Sequence, residues 1–143
     1  MDSDDSDPSD EQTDPVADIG ERASNDPFCA TVGVDLASVH PGYAETTLTV
    51  GEEHLNFHGT PHGGAVYTLA DAAFAAASNT GEKAAVALET NISYLAAVDV
   101  GERLRAVAEE VNLGGRTALY DVRVEDEAGD VVATFRGRVF RLD

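Results

Sequence analysis

One segment limits what this chain can fold into. From Ala65 to Ala77 the sequence AVYTLADAAFAAA is apolar except at Thr68 and Asp71, and seven of its thirteen residues are alanine. Alanine has the highest intrinsic helix propensity, so the pattern predicts one helix from about His62 to Asn79, halted near NTG at 79–81. Apolar residues run right round it, which predicts a buried helix rather than one with a wet face. A buried helix must be enclosed by the rest of the chain. That remainder reads as strands: CATVGVDLASV (29–39), YAETTLTV (43–50), AAVALETNISYL (84–95), RLRAVAEEVNL (103–113), RTALYDVRVED (116–126) and VVATFRGRVFRL (131–142). Short turns, GG at 114–115 and EAGD at 127–130, join the later ones, and strands so joined pair antiparallel. The expected fold class is α+β: an antiparallel sheet of about five or six strands wrapped around one long central helix.

Charge sets the second limit. The 143 residues carry 27 acids and 9 bases, a net charge of −18, and Lys83 is the only lysine. Residues 1–26 hold ten of the acids and one base, Arg22, which leaves 17 acids against 8 bases over 27–143. The division expected is an acidic, mostly disordered tail over 1–26 and one folded domain over 27–143. Within the tail, a short helix around Val16–Ala23 would have Ile19 as its only sizeable anchor. High acidity with almost no lysine points to a halophilic setting, where salt screens self-repulsion. The same charge argues against nucleic acid, whose phosphates need a basic patch. No apolar run reaches the roughly 20 residues of a membrane span, and no basic and apolar leader is visible. A soluble, cytoplasmic protein without membrane contact is expected. Cys29 is the lone cysteine and cannot pair within the chain.

The chemistry concentrates in NFHGTPHGGAVYTLAD, residues 56–71. Gly63 and Gly64 open the predicted helix, whose first amides lack intrahelical acceptors and carry partial positive charge. They form either a plain helix start after Pro61 or a hole for a carbonyl oxygen acquiring charge. Asp71 has no cationic neighbour at helical spacing: Tyr67, Thr68, Phe74 and Ala75 flank it. It is either bonded to Thr68 or backbone, or a carboxyl of raised pKa serving an active site. Eight residues of helix separate Gly63 from Asp71, about 12 Å, whereas both would have to stand about 3 Å from one reacting carbon. If they serve one reaction they come from two copies of the helix, so the chemistry predicts a symmetric homodimer. His54, His58 and His62 are spaced like metal ligands on a helix, but Gly59 and Pro61 exclude a helix there, and no metal or other cofactor is expected. His62 orders the loop or caps the helix. Asn56 either makes an Asx turn or positions water or a substrate carbonyl.

These residues resemble the hotdog-fold thioesterases, closest to the PaaI-like branch of acyl-CoA thioesterases from phenylacetate degradation. The likeness spans nearly all of 27–142. It is carried by LNFHGTPHGGAVYTLADAAFAAASNTG (55–81), NISYLAAVDVGERLRAVAE (91–109), GGRTALYDVRV (114–124) and ATFRGR (133–138). The resemblance implies a hotdog fold, active sites at a dimer interface, a dimer of dimers, and hydrolysis of an acyl-CoA, with aryl-acetyl groups suggested by the branch. It implies Asp71 as general base or nucleophile, the Gly63 amide polarising the thioester carbonyl, Asn56 placing water or carbonyl, and His62 supporting the glycine turn. For the substrate it implies Arg116 and Arg138 as phosphate contacts, unless they are solvated arginines at sheet edges. Gly64, Tyr67, Phe74 and Tyr94 are the expected pocket walls. Two other readings use the same scaffold. One is a non-catalytic acyl-CoA binding or regulatory module, against which the presence of Asp71 counts. The other is a hydratase, whose usual histidine shortly after the acid has no match at Ser78, Asn79 or Thr80.

Overall fold

The computed structural model describes residues 14–143; of the tail expected over 1–26, residues 1–13 lie outside the described residues. Two short helices come first, each written into the sequence by an Asp-Pro pair. Helix α1 (Pro15–Ser24) starts at Asp14, whose carboxylate accepts from the Val16 amide at 3.0 Å. Helix α2 (Pro27–Val32) starts at Asp26, which accepts from the Cys29 amide at 3.0 Å, and ends at Gly33 with φ of 97°. Proline at the first helical position loses no hydrogen bond, and glycine takes the left-handed turn at the end. The strand expected over 29–39 is therefore corrected: its first part is α2, and strand β1 (Asp35–His40) follows. The short helix expected around Val16–Ala23 is present as α1, which packs on β1 and on the central helix.

Beyond β1 lie β2 (Tyr43–Thr49), the central helix α3 (Gly63–Ser78), β3 (Ala85–Tyr94), β4 (Arg103–Leu113), β5 (Thr117–Glu125) and β6 (Val131–Arg141). The strands form one antiparallel sheet in the order β1-β2-β4-β5-β6-β3. Helix α3 lies across one face of it. Alternate strand residues point at the helix and are buried, among them Ala44, Leu48, Leu104, Ala106, Val122 and Val124. From the helix side come Val66, Leu69, Ala70, Ala73, Phe74 and Ala77. So much alanine on both surfaces lets helix and sheet approach closely, and the seat is specific at one point. A Cβ on Gly137 of β6 would stand 2.5 Å from the Phe74 ring, so the strand leaves that position empty for the ring.

The opposite face of the sheet is charged and interlocked. Arg105 pairs with Glu45 at 2.8 Å and Glu125 at 3.3 Å, Arg123 with Glu125 at 2.6 Å and Glu109 at 2.8 Å, and Arg136 with Asp121 at 2.8 Å. The period-two alternation of β5 has this cause: Ala118, Tyr120, Val122 and Val124 go in, and Thr117, Leu119, Asp121 and Arg123 go out. Among the described residues no helix is long and apolar enough to cross a membrane.

Two features bear on the site. Strand β3 is an edge strand of ten residues, paired only with β6, and Val86, Leu88 and Leu95 on and beside it are 49 %, 49 % and 59 % exposed. Helix α3 is not enclosed all round, as its composition predicts. Gly64 and Ala75 are exposed, and Thr68 and Asp71 are half-buried, so one stripe of small and polar residues stays uncovered by the chain's own sheet.

Candidate active site

The loop before α3 is held from inside. His54 is buried and accepts from the Gly51 amide at Nδ1 (2.9 Å), so its proton is on Nε2, which donates to the Val32 carbonyl of α2 at 2.5 Å. This histidine is a strut between the loop and α2. His58 is exposed and stacks on Phe57 at 4.1 Å. Asn56 is the hub of the loop. Its side-chain oxygen accepts from the His58 amide (2.9 Å), the Thr60 amide (3.2 Å) and the Thr60 hydroxyl (3.2 Å). The Asx turn is therefore real, and only the NH₂ of the Asn56 amide is left to meet a ligand.

His62 caps α3: its Nδ1 accepts from the Gly64 amide at 2.8 Å. The cap satisfies the second helical amide and leaves the first, Gly63 N–H, without an intrahelical acceptor. The Tyr94 hydroxyl donates to the Gly63 carbonyl at 2.9 Å, locking the first turn to the end of β3. A Cβ on Gly63 would sit 3.0 Å from the Tyr94 ring, and one on Gly64 2.9 Å from His62 Nδ1. Both glycines keep the approach to the helix N-terminus clear.

Asp71 lies two turns on. Thr68, its possible partner, spends its hydroxyl on the Gly64 carbonyl at 2.8 Å. No hydrogen bond or ion pair reaches the Asp71 carboxylate from the described residues. Burial pushes its pKa up, and the nearby Asp26 carboxylate pushes it further. Cys29 is part of the same neighbourhood: burial, Asp26 and Asp71 raise its thiol to about 11, so it stays a neutral wall. An acid held this way is a competent proton acceptor, because it gains a proton more readily than a free carboxylate.

The remaining expected residues divide. Tyr94 stands at the site through Gly63, and the Tyr67 hydroxyl bonds Thr90 of β3 while its ring packs edge-on to Phe135. Phe74 is corrected: it is 2 % exposed and faces the sheet against Gly137, Tyr120 and Phe135, so it is core and not a pocket wall. Arg138 is half-exposed on the sheet face away from α3, with Glu89 at 3.6 Å. Arg116 lies at the β4–β5 turn, with no carboxylate partner among the described residues. What the sequence reading missed is Asp26 and Cys29, and the signal for them was the Asp26-Pro27 cap that starts α2.

Two cavities flank this arrangement. One of about 500 Å³ opens between α1, α2 and the half of α3 that follows Asp71. The other, about 490 Å³, lies beside Gly63 and Tyr94 under the 96–100 loop.

Comparison with known proteins places the geometry. The family model of the thioesterase superfamily matches residues 58–133. The acyl-coenzyme A thioesterase PaaI of Escherichia coli is 37% identical over 82% of this chain and 84% of its own. Among solved structures, the E. coli PaaI protein from the phenylacetic acid degradation operon has a TM-score of 0.83 at 34% identity, covering 92% of this chain and 97% of that one. A variant of the phenylacetic acid degradation protein PaaI from Thermus thermophilus has 0.79 at 48% identity, covering 82% and 100%.

The Asp71 environment has a consequence for stability. Its pKa in the folded protein is raised above the ordinary 3.8, so within that window the native state holds a proton that the unfolded chain has lost. Stability falls as pH rises through the window, and above it the bare carboxylate is a standing cost. Asp71→Asn removes the titration. The variant should unfold at a higher temperature than the parent at pH 7, and the difference should shrink toward zero as pH falls to about 4. Thermal unfolding of both proteins between these limits decides it; parallel curves would contradict the assignment.

Proposed function

The chain belongs to the thioesterase superfamily as a PaaI-like hotdog acyl-CoA thioesterase, and we propose that its active site is assembled from the Asp71 of one protomer and the Gly63 amide of another. The reading rests on one observation: a half-buried carboxyl without a partner among the described residues shares a helix with an N-terminal amide that is too far away to share its substrate and has no acceptor among those residues. Asp71 acts on the thioester carbonyl carbon as general base through a water molecule, or directly as nucleophile. As base, its oxygen takes the water proton while the water oxygen bonds the carbon. The carbonyl oxygen gains charge and is met by Gly63 N–H at the positive end of α3. Collapse breaks the carbon–sulfur bond, and the thiolate of CoA leaves and recovers the proton. The free NH₂ of Asn56 is placed to hold the water or the carbonyl, and His62 keeps the turn in shape.

The edge strand β3 supports the dimer. A long apolar edge with unpaired backbone groups invites a second strand. Helix α3 runs antiparallel to β3, with Gly63 level with Tyr94 and Asn79 level with Ala85. Two β3 strands paired antiparallel about a two-fold axis bring the Gly63 end of one protomer toward the Asp71–Asn79 half of the other. The uncovered stripe of Gly64, Thr68, Asp71 and Ala75 then meets its own copy, and its small side chains allow close approach. A dimer of dimers is the assembly we infer by likeness to the family; the mass of the particle in solution tests it. Arg116 is the proposed phosphate contact for CoA.

Variants at the two positions test the chemistry. Asp71→Asn should lower kcat by about 10²- to 10⁴-fold while acyl-CoA still binds. Gly63→Pro removes the amide yet suits the first position of a helix, and Gly63→Ala adds the same Cβ against Tyr94 but keeps the N–H. The proline variant should be slower than the alanine variant by about 10²- to 10³-fold. Equal rates for the two would sink the role of the amide.

We also infer a cytoplasmic, high-salt setting, where CoA thioesters occur and a net charge of −18 is tolerable. Unfolding midpoints should rise steadily from about 0.1 to 1 M KCl as the Debye length falls, and a flat or falling response would contradict the halophilic reading.

A further inference from the structure

We propose that His54 is the positioning residue of the active-site loop: its imidazole ties residues 51–62 to the end of α2 and, through its own carbonyl and His62, aims the Gly63 amide at the thioester oxygen. The role rests on the reading of that amide as the donor to the carbonyl oxygen and adds to it the group that holds the donor in place. Within 51–62 His54 alone is buried, at 7 % exposure. Phe57, the largest apolar side chain of the loop, is 92 % exposed. Apolar burial therefore does not settle where this loop sits, and its hydrogen bonds do.

Those bonds form one path from α2 to α3. The last carbonyls of a helix lack intrahelical donors. In α2 the Cys29 carbonyl is met by the Gly33 and Val34 amides at 2.7 and 2.8 Å, and the Val32 carbonyl by His54 Nε2–H at 2.5 Å. The other ring nitrogen accepts from the Gly51 amide at 2.9 Å, and the His54 amide donates back to the Gly51 carbonyl at 3.0 Å. His54 is thus fixed on three sides. Its carbonyl accepts from the His62 amide at 2.7 Å, and the His62 ring accepts from the Gly64 amide at 2.8 Å. The Gly63 N–H lies in the plane of the His62–Gly63 peptide. The helix holds that plane through the His62 carbonyl, which accepts from the Ala65 amide at 3.0 Å, and His54 holds the residue that leads into it. Tyr94 binds the Gly63 carbonyl, which belongs to the next peptide and does not aim this N–H.

The residue type follows from the two groups it serves. A neutral imidazole offers one acceptor and one donor, and here the acceptor meets an N–H three residues back while the donor meets a C=O twenty-two residues away. The first bond only folds the 51–54 turn on itself. The second fastens that turn to another element, so it is the one that sets the loop's place.

Kinetics of His54 variants test the role, with whichever of octanoyl-CoA and phenylacetyl-CoA the parent hydrolyses faster. His54→Leu removes both ring bonds. It should lower kcat by about 10- to 100-fold and leave KM nearly unchanged, because a misaimed donor is missed in the transition state and not in the bound substrate. His54→Gln keeps a nitrogen donor that reaches Val32 and should regain most of the loss; His54→Asn reaches only the Gly51 amide and should stay slow. The decisive comparison is made in Gly63→Pro, which lacks the amide. There His54→Leu should slow the residual turnover by less than about twofold, since two changes acting through one group do not add. Losses that add in full, or a His54→Leu kcat within about twofold of the parent's, would overturn the role. If His54→Leu does not fold, the Gln and Asn variants carry the same comparison in both backgrounds, and equal kcat for the two would overturn it. Equal rates for Gly63→Pro and Gly63→Ala defeat the reading of the amide itself, whereas a slow Gly63→Pro with additive His54 losses defeats only the positioning role.

Discussion

A helix cannot bend its own N-terminus back onto its third turn. Gly63 and Asp71 stand on one rigid rod, about 12 Å apart along its axis, and the chemistry each is suited to needs both at one carbon. That constraint organises the molecule. On the proposed reading it gives the exposed edge of β3 a purpose, accounts for the stripe of small residues on α3 that its own sheet does not cover, and makes a second copy part of the active site rather than an addition to it.

The sheet's task is to hold that rod in register. Small residues on both surfaces bring α3 close, and the empty Cβ position of Gly137 receives the Phe74 ring, which fixes the helix against sliding or rotation. At the front end, His62 caps the helix and the Tyr94 hydroxyl clamps its first turn to β3. At the back end, Asn79 binds Ala85 where β3 begins. Between these clamps Asp71 has no partner among the described residues, and burial with the nearby Asp26 keeps its pKa high. A carboxyl so placed weakens the fold and strengthens the base, a trade expected at a catalytic position.

Much of this was legible in the sequence because it is local. The alanine run announced α3, the alternation of β4, β5 and β6 announced the sheet, and the glycines with Asp71 marked the place of the proposed chemistry. The resemblance to hotdog thioesterases, confirmed by the family match and the PaaI structures, joined them into one fold. The failures have physical causes. An apolar helix gives no periodic signal of which side faces the sheet, so Phe74 looked like a pocket wall until Gly137 showed where the ring goes. The alternation of 29–39 imitated a strand, although the Asp26 cap, Pro27 and Gly33 mark a helix over half of it. The cavity walls from α1 were invisible because α1 joins the rest only in three dimensions.

The shared site is the claim on which everything else stands, and mixed dimers measure it directly. A chain carrying Asp71→Asn and a chain carrying Gly63→Pro, each inactive alone and differently tagged, are co-expressed and the mixed dimer is purified. One of its two sites then unites an intact Asp71 with an intact Gly63, so the mixed dimer should recover about half the parental turnover per two-fold dimer. If the mixed dimer is no faster than either variant alone, acid and amide do not meet across the interface, and the account is wrong at its base.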